Sequence, residues 1–482
     1  MSNDIKRLGK ETCIYGTSTV LARLLNFCLV PFYTYYLLPG QYGIIATIFA
    51  AVALCNVLFL FGMDQSYLRF ASEATDKNKV FRQCFLGVLL NGFILGSLLW
   101  LLNEPAARLI GIPPQAGYLL KLAAVVLLLD VLNMIPFTKL RLERRAWYFA
   151  GVRTASIIVN VLGNIYFIAV LHKGIASILW ANIFASLASL LLLSPVVWSE
   201  LKTHFSFSFD WTLEKNLLSF AWPFVPSGLA SLFVSVIDKP ILVHLTGPEQ
   251  VGIYQANFKI GVFMMLIVSM FDQAWRPFFL SHYAKDENPR PLFAQVFTCF
   301  TALSSWVLLG LIFLMPDIIR GNWLGNFHLI APAYWEGLSV IPLVLTGYFF
   351  YGLYVNFMIG PVVTKRTQVL LWITLLGACT SITTNLILVP HIGILGAGWA
   401  VLISYAVMAT ALFCFTRRVY PIPYEYKKLA VLLTTALFFF LLNRWTGNLL
   451  GVKILLLVVY PICFWWTLRK TDLSSLLQTN KH

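Results

Sequence analysis

The sequence predicts an all-α polytopic membrane protein of about 14 transmembrane helices, built as two homologous six-helix lobes in parallel repeat plus two C-terminal helices. Three observations predict it. The 482 residues are 59% hydrophobic and only 11% charged, against roughly a quarter charged in soluble domains. Apolar segments of about 20 residues, long enough as helices to cross a hydrocarbon core, recur along nearly the whole chain. A short pattern also repeats. Pro39-Gly40-Gln41-Tyr42-Gly43-Ile44 returns as Pro248-Glu249-Gln250-Val251-Gly252-Ile253, and Asp64-Gln65 as Asp272-Gln273, at offsets of 209 and 208 residues. Gly174 to Ala181 further resembles Gly393 to Ala400. The shared order of these short matches argues for a duplication.

Spans are expected near 12–36, 42–66, 83–102, 117–138, 149–171, 174–198, 217–243, 251–275, 293–316, 336–360, 367–390, 394–416, 429–443 and 449–468. Six spans separate the repeats, an even number, so both halves enter the membrane in the same sense. Transporters commonly place substrate between such parallel halves. The expected divisions are an N-terminal lobe 1–198, a cytoplasmic linker 199–216, a C-terminal lobe 217–416 and an added helix pair with its tail, 417–482.

The net charge of +15 does not imply a nucleic-acid partner, because of where the charges sit. Connections on the side of the termini carry 25 Lys and Arg, and those on the other side only Arg108, Lys173, Arg320 and Arg444. Cytoplasmic loops carry such an excess, so both termini are expected in the cytoplasm. Lys6, Arg7 and Lys10 precede a span too long for the apolar region of a signal peptide, and the first span is expected to stay. The eight cysteines are scattered without a Cys-x-x-Cys pair and read as packing residues.

In chain order, the first span carries Gly16, Thr19, Arg23, Asn26 and Tyr33 at spacings that share a helical face. Arg23 lies about eleven residues in, roughly 17 Å deep at 1.5 Å per residue. An ionisable group at that depth faces protein or water rather than lipid, which makes Arg23 a candidate cavity cation, with Thr19 and Asn26 as polar neighbours. The second span ends in Asp64. The fourth carries Asp130, Asn133 and Lys121, and the fifth Arg153, Ser156, Asn160 and Asn164. Interhelical hydrogen bonding explains these Ser and Asn residues as well as transport does. Lys121, Arg153 and Lys453 read as anchors reaching toward the headgroups.

The seventh span opens with Pro223 and Pro226, which weaken its helix, and ends with Asp238-Lys239, an ion pair or a ligand site. Lys259 lies deep enough in the eighth span to face a cavity, and Asp272 falls near that span's cytoplasmic end. Tyr348, Tyr351 and Tyr354 in the tenth span suit either packing or a sugar path. The last two spans have no counterpart in the repeat.

Missing motifs narrow the function. No Gly-x-x-x-x-Gly-Lys-Ser/Thr loop, His-Glu-x-x-His or Gly-x-Ser-x-Gly is present, so ATP hydrolysis, zinc proteolysis and serine hydrolysis lack their signatures. No pattern calls for a cofactor or a metal. The pattern fits a carrier rather than an enzyme, driven by an ion gradient (H+ or Na+) or by membrane potential.

Leu8-Gly9-Lys10-Glu11-Thr12, Pro31-Phe32-Tyr33-Thr34, Tyr42-Gly43, Asp238-Lys239, Val251-Gly252-Ile253-Tyr254 and Gly393-Ile394-Leu395-Gly396-Ala397 resemble, in that order, the polysaccharide-repeat-unit flippases of the multidrug/oligosaccharidyl-lipid/polysaccharide exporter superfamily. The resemblance implies a two-lobed, V-shaped carrier in a bacterial or archaeal cytoplasmic membrane. Its expected substrate is a polyprenyl-diphosphate-linked oligosaccharide for surface polysaccharide, moved from the cytoplasmic to the outer leaflet by alternating access, with a polysaccharide polymerase as a partner. The family often has Arg after the Asp of the seventh span. Lys239 here keeps a point charge without the planar fork that grips phosphate.

A diphosphate and a glycan are both costly to carry through hydrocarbon, so cavity cations are expected: Arg23, Lys259 and Lys239, with Asp238 beside them. Asp64 and Asp272, near cytoplasmic ends, suit a gate or a structural hydrogen bond rather than direct substrate contact. Two rivals stay open. A multidrug or small-molecule exporter of the same architecture would use a buried carboxylate such as Asp130 as its coupling site, and a glycan polymerase or ligase would need acidic residues without a short motif.

Overall fold

A computed structural model describes residues 23–202, 210–285, 288–321 and 327–468. Thr19 lies outside them, as do the two chain ends and the middle of the expected linker. The described residues are helical throughout, without a strand. Twelve of their helices are long and apolar enough to cross a membrane.

The first half contains α1 (23–36), α2 (Pro39–Leu60), α3 (Met63–Glu73), α4 (Lys77–Leu101), α5 (Asn103–Leu109), α6 (Gly117–Leu142), α7 (Ala146–Ile165) and α8 (Ala176–Lys202). Then come α9 (Trp211–Ala221), α10 (Phe224–Val236), α11 (Asp238–Thr246), α12 (Pro248–Phe258), α13 (Val262–Lys285) and α14 (Arg290–Arg320). The chain continues as α15 (Ile341–Phe357), α16 (Ile359–Val363), α17 (Gln368–Ile392), α18 (Ile394–Val419), α19 (Tyr426–Trp445) and α20 (Leu450–Leu468).

The twelve candidates correspond to the second through thirteenth expected spans; the first, 12–36, lies partly outside the described residues, and the last falls on the shorter apolar stretch Leu450–Cys463. The departures within the twelve have local causes. The expected seventh span, 217–243, is divided among α9, α10 and α11. Pro223 follows the end of α9, and Pro240, lacking an amide proton, cannot bond back to the Val236 carbonyl where α10 gives way to α11. The eighth span tightens into a 3-10 turn at Lys259–Gly261 between α12 and α13. α2 stops at Phe61-Gly62, both left-handed (φ 51° and 71°), and Asp64 falls in the first turn of α3. A helix N-terminus favours a carboxylate there. Asp272 has no such setting, being inside α13.

The chain forms two compact units. The first takes in Met1–Lys259, Ala333–Gly337 and Ala378–Ala400. Its core gathers Phe59, Met63, Tyr67, Phe81, Cys84, Leu127, Val131 and Leu217 from α2, α3, α4, α6 and α9. Asp210 caps α9 by accepting from the amides of Thr212 and Leu213, both at 3.0 Å, and it also accepts from Lys79 Nζ of α4 at 2.7 Å. The lysine and the capping amides hold this carboxyl below its ordinary range, the lysine most of all.

Within the same unit the two copies of the repeated motif meet face to face. A Cβ on Gly43 would lie 1.6 Å from the carbonyl oxygen of Pro248, and one on Gly252 would lie 1.9 Å from that of Pro39. Small residues let membrane helices approach this closely. Tyr334, from the short segment Ala333–Gly337, donates to the Leu37 carbonyl at 2.8 Å, and its own carbonyl accepts from Asn257 of α12 at 2.9 Å. The junction of α1 and α2 is thereby tied to α12.

The second unit takes in Ile260–Pro332, Leu338–Gly377 and Val401–His482. There the C-terminal pair packs on α14 through Leu309, Phe313, Phe439, Leu456 and Tyr460. Ser305 and Tyr460 share a hydroxyl hydrogen bond of 2.7 Å. Lys453 was expected to reach toward the headgroups, but its side chain is only 3% exposed and pairs with Asp317 of α14 at 2.7 Å. A carboxylate within reach holds the ammonium in the packed interior, where a cation in hydrocarbon needs a partner.

Candidate functional site

α11 opens with Asp238 and Lys239, and the turn Gly247-Pro248 folds α12 back beside it. This return brings Tyr254 of α12 to Asp238. One Asp238 oxygen accepts from the backbone amide and the ammonium of Lys239, both at 3.0 Å, and the other accepts from the Tyr254 hydroxyl at 2.6 Å. Asp238 is 3% exposed and Lys239 5%. The Lys239 ammonium also lies 4.5 Å from the centre of the Phe258 ring, a favourable place for a cation.

Lys259 begins the 3-10 turn directly after α12, half-buried and next in sequence to Phe258, whose ring faces the Lys239 ammonium. Among the described residues its side chain has no hydrogen bond or ion pair. This cluster thus holds two ammonium groups and one carboxylate, whose oxygens are both engaged. The arrangement can accept an anion at Lys259, while Asp238 and Tyr254 keep Lys239 in place.

Three expected residues, Asp238, Lys239 and Lys259, are brought together. Others stand elsewhere. Arg23 is half-buried on α1, and Asn26 is exposed one turn on. From the same helix Tyr33 donates to Asn164 of α7 at 2.9 Å. Asp130 on α6 accepts from Ser186 of α8 at 2.5 Å and feels the positive charge of Arg153. That guanidinium lies 4.6 Å from the Phe137 ring. Asp64 accepts from neighbouring Gln65 at 2.7 Å.

In the second unit Asp272 accepts from Arg276 Nε at 2.7 Å, one turn further along α13. Arg276 keeps about half its side chain exposed, touches the Met358 sulfur at 3.9 Å and lies within electrostatic reach of Tyr351 and Tyr354. The Tyr351 ring stacks on Tyr354 at 6.0 Å and packs on Tyr405 at 5.2 Å. A guanidinium can meet a phosphate, and tyrosine rings offer apolar faces and hydroxyls to a sugar. Sequence reasoning passed over Arg276 and Tyr254. Each had a signal: Arg276 stands at i+4 from the repeated Asp272, and Tyr254 closes the motif that follows Asp238 by one hairpin.

The fold is that of polytopic carriers. Its solved neighbours include a lipid II flippase, MurJ, in an inward closed conformation, at 16% identity and a TM-score of 0.76, covering 95% of this chain and 99% of that one. An inward-facing multidrug resistance MATE family transporter of the MOP superfamily aligns at 15% identity and a TM-score of 0.62, over 86% and 96% of the two chains. The Vibrio cholerae MATE transporter VcmN in its bent form aligns at 14% and 0.56, over 87% and 97%. No curated protein matches the sequence significantly. Residues 8–282 match the polysaccharide biosynthesis protein family. The chain belongs to that family.

Proposed function

We propose that the protein is a flippase carrying a polyprenyl-diphosphate-linked oligosaccharide repeat unit across the cytoplasmic membrane for surface polysaccharide assembly. The observation that carries this reading is the position of Lys259, a lysine whose side chain has no partner among the described residues, directly after Phe258, whose ring lies 4.5 Å from the Lys239 ammonium beside the single carboxylate of Asp238. A cation without a partner at membrane depth costs about 2.5–3.5 kcal/mol on insertion scales, and a diphosphate offsets that cost. Within the second unit, Arg276, Tyr351 and Tyr354 are residue types that suit a saccharide. Membership of a polysaccharide biosynthesis family supports a saccharide cargo over a drug.

A small-molecule exporter would be better served by a carboxylate free to bind a proton or a cation. Asp238 and Asp272 are instead paired with Lys239 and Arg276, whereas Asp130 accepts from Ser186. The test is accumulation of lipid-linked precursor on the cytoplasmic face of cells whose only copy is a Lys259 variant, with membrane abundance checked by immunoblot. Lys259→Glu is expected to block transfer and Lys259→Arg to retain it. Undiminished transfer by abundant Lys259→Glu protein would remove the anion site from the mechanism.

A further inference from the structure

The first unit also carries a groove of about 320 Å³ between α4 and α6, well away from the cation cluster in sequence. Gly92, Gly96 and Ser97 line it from α4, and Ala124 from α6. At Gly92 the helices touch, since an added Cβ would come within 3.0 Å of Leu128 Cδ1. At Gly96, one turn on, the fit is looser, and the same atom would meet Phe59 Cε1 at 3.9 Å and the Ala124 carbonyl at 4.0 Å. Trp100, a further turn along α4, forms the rim of the groove. Beyond that rim stands Lys121, its ammonium 5.8 Å from the Trp100 ring centre. Lys121 makes no ion pair among the described residues.

The shape and the charge select an occupant. At roughly 30 Å³ for a group the size of a water molecule or a methylene, the groove takes a run of about ten carbons. Its walls are almost wholly apolar, and a membrane offers acyl chains at that depth. A lone ammonium at the open end complements a phosphate. We infer that this groove is a binding site for one acyl chain of an anionic glycerophospholipid, whose phosphate meets Lys121. None of the lining residues belongs to the cluster of Asp238, Lys239 and Lys259.

The test is native mass spectrometry of the full chain in detergent, titrated with phosphatidylglycerol and with phosphatidylethanolamine of the same acyl composition. Wild type is expected to retain one phosphatidylglycerol about fivefold better than phosphatidylethanolamine, the worth of one lysine near an anionic headgroup. Lys121→Gln is expected to abolish that preference. Gly96→Leu and Ala124→Leu, two independent ways of filling the groove, should each lower retention of both lipids about tenfold, as displacing roughly two buried methylenes would. Unfolding temperature confirms that each variant is folded, and one folded filler suffices. Equal retention of the two lipids by wild type, or unchanged retention by a folded filler, means annular lipid only and overturns the proposal. Displacement of phosphatidylglycerol by an equal amount of polyprenyl phosphate overturns the choice of occupant in favour of the carried lipid's tail.

Discussion

Gly43 and Gly252 lie in reciprocal contact, each against the carbonyl of the proline that begins the other's helix and each within about 3 Å, by its absent Cβ, of the other's amide nitrogen. Neither position has room for a methyl group. Gly43→Ala and Gly252→Ala should each force α2 and α12 apart, at a cost of about 1–3 kcal/mol for overpacking. Thermal unfolding in detergent measures it. The double variant should lose less than the sum of the two, because the first substitution already opens the contact. Unfolding temperatures equal to wild type would show that the helices do not hold this contact in the membrane protein.

The Asp238 carboxylate is the hub of its cluster, and Tyr254 is a spoke. Asp238→Asn leaves Lys239 buried without a counter-charge and is expected to cost about 3–5 kcal/mol. Tyr254→Phe removes one hydroxyl donor to a charged acceptor, about 1.5–3 kcal/mol. Comparable losses from the two, read from the same unfolding curves, would mean that the ion pair contributes little beyond the hydroxyl.

Lys79 and Asp210 tie α9 to α4 at an exposed site. The folded-state pKa of Asp210 is depressed, so the tie contributes above the ordinary carboxylate value and is lost as pH falls through the lowered folded value. The unfolding-temperature gap between wild type and Lys79→Ala, present at pH 7, should therefore shrink as pH drops below about 4. A gap of constant size down to complete carboxyl protonation would refute the assignment.

Arg23 remains the expected cation of α1. Arg23→Ala and Arg23→Glu are expected to abolish transfer of lipid-linked oligosaccharide, and Arg23→Lys to retain part of it, since charge survives without the bidentate fork. Asp130 already has Ser186 and Arg153, so adding Asp130→Arg should not rescue Arg23→Glu. Rescue would reveal a structural Arg23–Asp130 pair instead of an anion site.

Orientation can be checked with single cysteines at Asn103, Asn326 and Ser208 in a cysteine-free chain. The distribution of basic residues predicts that an impermeant thiol reagent labels the first two in intact cells and spares the third. The opposite pattern would invert the topology.

Much of the architecture was legible because it depends on local composition. Long apolar runs mark the spans, and the repeated Pro-x-Gln-x-Gly-Ile marks two helices that turn out to touch. What stayed hidden depends on neighbours distant in sequence. Nothing adjacent to Asp238 announces that a hydroxyl sixteen residues on will complete its coordination, and nothing around Lys453 names Asp317. The repeat was also an imperfect guide to structure. The first copy spends one residue more between Gly43 and Asp64 than the second does between Gly252 and Asp272. It passes through the left-handed Phe61-Gly62 turn, whereas the second passes through the 3-10 step at Lys259–Gly261. Equivalent aspartates therefore begin a helix in one case and sit inside one in the other.

The partners of α14 arrive very late in synthesis. Ser305 waits 155 residues for Tyr460, and Asp317 waits 136 for Lys453. When α20 enters the bilayer, its lysine finds an acceptor already in place, so the charge is neutralised as it inserts rather than stranded in lipid. Until then the hydroxyl of Ser305 has only its own helix to satisfy it. The order of translation thus sets which member of each pair waits: in one a serine that back-bonds to its own helix, in the other the half-exposed carboxylate of Asp317, so that the ammonium is the last group to enter.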